Sequence, residues 1–330
     1  MLAIRRLAAL LAAILAAPLA AQFDGMHANK HILDAHNCYP YEKQWADRME
    51  RAISTGFPVA IEQDLAWHDG RVVVSHKAQT DGTEPLLRDY FFERVRPIVE
   101  KALQENKQDT WPLIVLHFDF KDNQPALLRA VWKLLGEYQD WISTARQTAD
   151  RHKLMPMERR PLLVLTEDSD EQEKVFFDEV KPGGKLRLFG SAHTAPVTEK
   201  NPDLRNHLLA TLPPSRLLAE RPTNYRRWWN NSWYEVEEGG QPKAGDWTAQ
   251  DAARLRALVD HAHRLGFWIR FYTLDGFAPG GGLGWGEAYN FGSRAAVEKR
   301  WRAALEAGVN LIATDQYEDL AEFMSSASRR

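Results

Sequence analysis

The chain has 330 residues, of which 44% are hydrophobic and 26% are charged, an ordinary composition for one large globular domain or two small ones. Its net charge of -3 gives no reason to expect a nucleic-acid partner. The single cysteine, Cys38, excludes an intrachain disulfide.

The first residues have the pattern of a secretory signal. The basic pair Arg5 and Arg6 precedes an apolar run from Leu7 to Leu15, and small residues follow that run. The run is short for a membrane-spanning helix, which favours a cleaved signal over an uncleaved anchor. We therefore predict a signal peptide over residues 1–21 and a single domain over residues 22–330 of a secreted or periplasmic protein.

Segments typical of strands and of helices alternate along the rest of the chain. Short apolar runs predict strands over residues 32–36, 59–61, 113–116, 162–165, 185–191, 215–220, 267–274 and 309–314. Apolar residues at three- and four-residue spacing predict helices over residues 41–55, 90–105, 124–138, 246–265 and 293–307 and in the tail from 318. A strand followed by a helix, seven or eight times in one chain, is typical of the α/β class and of a closed (β/α)8 TIM barrel.

The clearest chemistry follows the second predicted strand. Glu62 and Asp64 are two residues apart, so a strand points both carboxylates to the same side. The pair Asp69-Gly70 between two apolar runs predicts a small β-hairpin insertion that returns His76 to the strand end. Two buried carboxylates repel each other, and a divalent cation would remove that cost. The simpler alternative is a solvated strand end with a spare histidine, but the hairpin favours a site.

The third predicted strand ends with three ionisable side chains. His117, Asp119 and Lys121 alternate with Phe118 and Phe120, so the three ionisable groups share one face of the strand. The apolar run before them argues against an exposed edge strand. Ionisable groups that face inward at a strand end indicate a functional site.

Residues 225–247 are unusually rich in aromatic side chains, namely Trp228, Trp229, Trp233, Tyr234 and Trp247. Two interpretations of this loop-like stretch stay open: a lid that sheds water over an organic substrate, or core packing by a long connection. If the tryptophans are exposed, they could also make transient contact with a membrane.

Several of these motifs resemble a known family. Glu62-x-Asp64, Asp69-Gly70 and Val74-x-His76 resemble the signature of glycerophosphodiester phosphodiesterases, within the phosphatidylinositol-phospholipase-C-like superfamily. His36-Asn37 stands where that family carries a His-Arg-Gly triplet, and the asparagine is similar to its bacterial secreted branch. The segment Gly308 to Asp315 resembles the family's last strand.

The resemblance implies a TIM barrel whose site lies at the C-terminal ends of the strands. It implies that Glu62, Asp64 and Asp119 hold one divalent cation, with Asp119 in place of the family's glutamate. Carboxylate ligands suit hard ions, so we expect Ca2+ or Mg2+. It also implies that His36 and His76 act as general base and acid. The residues expected to contact substrate are Asn37, Lys121 and Arg270.

Together with these patterns, the resemblance implies a metal-dependent phosphodiester hydrolase acting on a glycerophosphodiester or a phospholipid headgroup. The alternative is a non-catalytic ligand-binding barrel with a structural metal site, because a fold does not fix a function. Asn37 and Asp119, which depart from the family's pattern, leave room for that alternative. No nucleic acid is expected as a partner.

Overall fold

The computed structural model describes residues 31–41, 44–278 and 289–327, and the predicted signal peptide lies outside them. The strands are β1 (Ile32–Ala35), β2 (Val59–His68), β3 (Arg71–Val74), β4 (Ile114–Phe120), β5 (Thr144–Arg146), β6 (Met157–Glu158), β7 (Leu162–Thr166), β8 (Lys185–Leu186), β9 (Phe189–Ser191), β10 (Arg226–Ser232), β11 (Trp268–Tyr272) and β12 (Leu311–Thr314).

Eight of these strands form a closed parallel barrel in the order β1-β2-β4-β7-β9-β10-β11-β12, and β12 pairs with β1 to close it. The predicted (β/α)8 architecture is therefore confirmed. β3 runs antiparallel to β2 across Asp69 and Gly70, which both have positive φ, so the predicted hairpin insertion after the second strand is also confirmed. β5, β6 and β8 form a separate small antiparallel sheet.

The helices surround the barrel. They are α1 (Arg48–Ser54), α2 (Glu93–Glu105) after a π-helical turn (Arg88–Phe92), α3 (Pro125–Glu137), α4 (Asp170–Glu173), α5 (Pro202–Thr211), α6 (Pro214–Leu217), α7 (Gly240–Lys243), α8 (Ala249–Leu265), α9 (Arg294–Ala307) and α10 (Tyr317–Ala327). Thr248 caps α8 reciprocally with Asp251, and Gly266 ends the helix in the left-handed conformation at a φ of 95°. Of the helices described, none combines the length and apolarity needed to cross a membrane.

The prediction of a strand over residues 215–220 is wrong. Pro214–Leu217 forms the short helix α6, whose first turn accommodates a proline because the missing N–H would have no partner there. The sixth barrel strand is β10, inside the aromatic stretch 225–247. Residues 185–191, predicted as one strand, form two: β8 in the small sheet and β9 in the barrel.

The tryptophans of this stretch belong to the core. Trp228, Trp229 and Trp233 are fully buried, and Trp247 packs on Trp233 with ring centroids 6.0 Å apart. The interpretation as core packing is therefore the right one of the two. Neither a lid nor a membrane contact can use the three buried side chains.

Glu235 is a buried acid close to the end of β10. It lies in a short 3-10 turn, and its Oε2 has no hydrogen-bond partner among the residues that the structure describes. Burial raises the pKa of Glu235 from 4.5 to about 8. The folded protein therefore keeps a proton that the unfolded chain loses at lower pH.

We expect Glu235→Gln to stabilise the protein at alkaline pH relative to the wild type. The pKa of Glu235 is 4.5 in an unfolded chain and about 8 in the folded protein, so the wild type loses stability as the pH rises from the first value through the second. Between about pH 5 and pH 9, the free energy of unfolding of the variant should rise by about 2 kcal/mol or more relative to the wild type. Urea titrations at the two pH values would measure it. Glu238→Gln, at an exposed site, is the matched control, and an equal response there would contradict the prediction.

Candidate active site

The carboxyl ends of the barrel strands bring the predicted site residues together. His36 and Asn37 follow β1, and His76 follows the hairpin strand β3. The others lie on or directly after β2, β4 and β11: Glu62, Asp64, Asp119, Lys121 and Arg270.

Asp64 is the centre of one set of hydrogen bonds. Its Oδ2 accepts from the Tyr39 hydroxyl at 2.6 Å, from His76 Nδ1 at 2.9 Å and from Lys121 Nζ at 2.6 Å. Lys121 Nζ also donates to Asp119 Oδ2 at 2.8 Å. No pattern in the sequence indicated Tyr39, which the turn after β1 places beside Asp64. Asp64 is thus held by three donors from three parts of the chain.

Glu62, the other carboxylate of β2, is surrounded by positive groups. His36 Nε2, Arg270 Nη2 and His117 Nδ1 lie 3.6, 3.5 and 3.7 Å from its oxygens. The backbone N–H of Asn37 donates to Oε2 at 3.0 Å. Burial by itself would raise the pKa of Glu62, but the charges of His36 and Arg270 hold that pKa well below its usual range.

The three predicted metal ligands form one cluster. Each of Glu62, Asp64 and Asp119 offers an oxygen, and these oxygens lie within 4.8 Å of one another. Burial and the nearby Asp64 carboxylate raise the pKa of Asp119 to about 6, so negative charge accumulates here in spite of Lys121. Three clustered carboxylates offer the oxygen ligands that hard divalent cations select. The shorter Asp119 side chain still reaches the cluster.

His36 is oriented by Asp315, which follows β12. His36 Nδ1 donates to Asp315 Oδ1 at 2.8 Å, and the second Asp315 oxygen lies 3.6 Å from Arg48. Burial by itself would lower the pKa of His36, but Glu62 and Asp315 raise it to about 9. From the sequence, Asp315 was named only as the last residue of the segment that resembles the family's last strand, and no role was predicted for it.

A second group of ligand-type atoms within 4.8 Å comprises His36, Asp275 and Asp315. Asp275 Oδ1 already accepts from the Thr314 hydroxyl and from the Asp315 N–H, each at 2.7 Å. Burial and Asp315 raise the pKa of Asp275 to about 7. These hydrogen bonds hold Asp315 in position beside His36, so this group has a structural role.

A network of polar side chains crosses the interior of the barrel next to the carboxylate cluster. His117 Nε2 donates to Glu167 at 2.6 Å, and Asn230 donates to the same carboxylate at 3.0 Å. Asn230 also accepts from Arg270 at 3.1 Å, and Arg270 Nε donates to the buried Asp34. Asn230 was missed because its strand was taken for a loop. For Asp34, the indication in the sequence was an acidic residue inside an otherwise apolar strand.

Two predicted substrate contacts have other partners in this structure. Arg270 is 1% exposed and is held by Asp34 and Asn230. The Asn37 side chain donates to Asp315 at 3.2 Å, and its Oδ1 lies 2.6 Å from the hydroxyl oxygen of Tyr39. Their roles toward a substrate stay predictions.

Comparisons with known proteins give distant likenesses. No family model and no curated protein matches the chain. Among solved structures, it is similar to two glycerophosphodiester phosphodiesterases from Parabacteroides distasonis. The first is 13% identical at a TM-score of 0.42, covering 90% of this chain and 87% of that one. The second is 10% identical at a TM-score of 0.45, covering 91% and 98%.

The chain is also similar to a triple mutant of HPPK-DHPS from Plasmodium falciparum. The two are 9% identical at a TM-score of 0.45, over 91% of this chain and 47% of that one, so the chain spans about half the length of this protein. Proteins of both kinds therefore match this chain about equally well.

We expect Asp315→Asn to lower the pKa of His36 by about one unit or more, because the imidazolium loses an adjacent carboxylate. An NMR titration of the imidazole resonances in the presence of a chelator would measure the change. Asp319→Asn is the control, since that carboxylate pairs with Arg294 instead. An unaltered His36 pKa in the Asp315 variant would show that the hydrogen bond has no such effect.

Proposed function

We propose that this protein is a metal-dependent phosphodiester hydrolase acting on a glycerophosphodiester or a phospholipid headgroup. The observation that supports it is the position of the two histidines beside the two carboxylates of β2. His36 Nε2 lies 3.6 Å from Glu62, and His76 Nδ1 donates to Asp64. A carboxylate cluster with a histidine at each side suits cleavage of an anionic ester by proton transfer.

Glu62, Asp64 and Asp119 would hold the cation. When only these three carboxylates are counted, the ligand set is all oxygen, which suits Ca2+ or Mg2+. Once bound, the ion would neutralise charge on the phosphate and polarise a phosphoryl oxygen. Lys121 now binds Asp64 and Asp119, and its ammonium would turn to the phosphate when those carboxylates bind a cation.

The two histidines would move the protons. Each is held through Nδ1, His36 by Asp315 and His76 by Asp64, so proton exchange with a substrate would take place at Nε2. One Nε2 takes a proton from the attacking hydroxyl, and the other gives one to the leaving oxygen. A cation near Glu62 would lower the raised pKa of His36 and make its neutral form accessible.

His76 also borders a cavity beside the hairpin. This imidazole, with its side chain 42% exposed, lines a cavity of about 360 Å3 together with residues such as Ser75 and Gln79, whereas His36 and the three carboxylates are not part of that lining. We propose that the leaving alcohol of the substrate, a small group, enters this cavity from the His76 side. We also propose export of the protein, on the signal-like pattern of residues 1–21.

Removal of metal with a chelator should abolish hydrolysis of bis(p-nitrophenyl) phosphate, and a divalent cation should restore it. Asp119→Asn should weaken metal binding by at least about tenfold, because an amide oxygen replaces a carboxylate in the cluster. Calorimetric titration would measure the affinity. Full turnover in excess chelator would disprove the metal requirement. Metal binding without turnover would favour the non-catalytic alternative.

Separate substitution of the two histidines by alanine should lower kcat by about 100- to 10,000-fold, the usual loss for a general acid or base. Hydrolysis of bis(p-nitrophenyl) phosphate at saturating metal would measure kcat, with circular dichroism as a check of folding. His68→Ala is the matched control on the same hairpin, because His68 lies beside Thr80 and Asp69 and not beside Glu62, Asp64 or Asp119. The two-histidine mechanism is wrong if His68→Ala is equally damaging, or if His36→Ala keeps more than about a tenth of the rate.

A further inference from the structure

Tyr39 contacts the residues of the proposed site but takes no part in the proton transfers proposed above. Its side chain is fully buried, and its ring lies nearly parallel to that of His76, with the centroids 6.4 Å apart. The turn after β1 holds its backbone, because the Tyr39 N–H donates to the Asn37 carbonyl at 2.8 Å and Arg48 donates to the same carbonyl. Contacts of the turn therefore fix Tyr39 in addition to those of its hydroxyl.

The Tyr39 hydroxyl has one proton and three close neighbours. Its oxygen lies 2.6 Å from Asp64 Oδ2, 2.6 Å from Asn37 Oδ1 and 3.1 Å from His76 Nδ1. A hydroxyl donates one hydrogen bond, and a bond to an ionised acceptor is roughly twice as strong as a bond to a neutral one. The proton therefore goes to the Asp64 carboxylate, and the hydroxyl oxygen can accept a proton from His76.

Two oxygens face the same ring nitrogen of His76. Its Nδ1 lies 2.9 Å from Asp64 Oδ2 and 3.1 Å from the Tyr39 oxygen. An ionised carboxylate can only accept, so a proton on Nδ1 satisfies both contacts, whereas a proton on Nε2 alone would leave a bare Nδ1 against the carboxylate. These contacts favour the Nδ1–H tautomer of His76, in which Nε2 is the nitrogen that can accept a proton.

Tyr39 also limits how Asp64 can bind a cation. A carboxylate oxygen has about two lone-pair sites, and Tyr39, His76 and Lys121 all reach Oδ2. Lys121 would turn to the phosphate on cation binding, which leaves the other two donors on Oδ2. The cation would then bind Asp64 through Oδ1, so the carboxylate serves the metal and the histidine with separate oxygens.

We propose that Tyr39 is a positioning residue that acts on His76 through Asp64: its hydroxyl keeps Oδ2 directed at Nδ1 of the imidazole. Without the hydroxyl, the carboxylate can turn about its last bond, and Nδ1 loses one of its two acceptors. This inference rests on the proposed function and deepens it, because it assigns a further residue to the same site. Its first test needs neither metal nor turnover.

The first test is 15N NMR of the His76 ring in full-length protein with a chelator, at a pH where the imidazole is neutral. The wild type should hold mainly the Nδ1–H tautomer. Tyr39→Phe, which removes only the hydroxyl, should raise the ratio of Nε2–H to Nδ1–H by at least about fivefold, the usual effect of one hydrogen bond. A mainly Nε2–H imidazole in the wild type, or an unchanged ratio in the variant, would overturn the proposal.

Tyr225→Phe is the matched control for this measurement. Tyr225 is fully buried like Tyr39, but its hydroxyl has no hydrogen-bond partner within the described part of the chain. Its loss should leave the tautomer ratio of His76 unchanged. An equal change in both variants would show a general effect of losing a buried hydroxyl and would also overturn the proposal.

The second test separates positioning of His76 from a merely structural role. With saturating metal and bis(p-nitrophenyl) phosphate, Tyr39→Phe should lower kcat by about 10- to 100-fold and change KM by less than about threefold. In a His76→Ala background the same substitution should cost less than about threefold, because the group on which it acts is gone. Equal losses in both backgrounds would overturn the proposal. The predicted tautomers without any hydrolysis by the wild type would support the role of Tyr39 and reject the hydrolase.

Discussion

Glu62 and Asp64 lie two residues apart on one strand, and they are 4% and 1% exposed. Taking two carboxylates out of water costs several kcal/mol for each unless partners offset the loss. Other side chains at the C-terminal end of the barrel supply those partners. His36, Arg270 and His117 surround Glu62, while Tyr39, His76 and Lys121 bind Asp64.

These partners come from different parts of the barrel, so the site depends on the closure of the sheet. Arg270 stands on β11 and joins Asp34 on β1, although β12 separates these two strands. Asp315 follows β12 and holds the histidine that follows β1. Loss of one partner from a buried ion pair typically costs about 3–5 kcal/mol. The contacts that position the site residues therefore also stabilise the closed barrel.

Protons and a metal ion would compete for these carboxylates. In the protein without a cation, Glu62 and Asp315 raise the pKa of His36 to about 9, and Lys121 bridges Asp64 and Asp119. A divalent ion would replace some of this positive charge, because metal ligands must be deprotonated to bind. Metal binding would thereby favour the neutral form of His36 that the proposed proton transfer requires.

The sequence by itself determined the features that local periodicity encodes. Alternation on β2 and β4 put Glu62 beside Asp64 and Asp119 beside Lys121, and Asp69-Gly70 specified the hairpin. The order of strands and helices specified the barrel. The failure at the sixth strand has a physical reason, since both faces of β10 are buried and its tryptophans leave no alternation of polar and apolar residues.

Only the tertiary structure decided which distant residues meet. Asp315 lies 279 positions from His36, and Glu167 lies 50 from His117. Such contacts depend on the register of neighbouring strands and on closure of the barrel. A shift of one residue in that register would turn every side chain of a strand to the other face. The sequence could therefore show that His117 faces the site, but not that its Nδ1 lies beside Glu62.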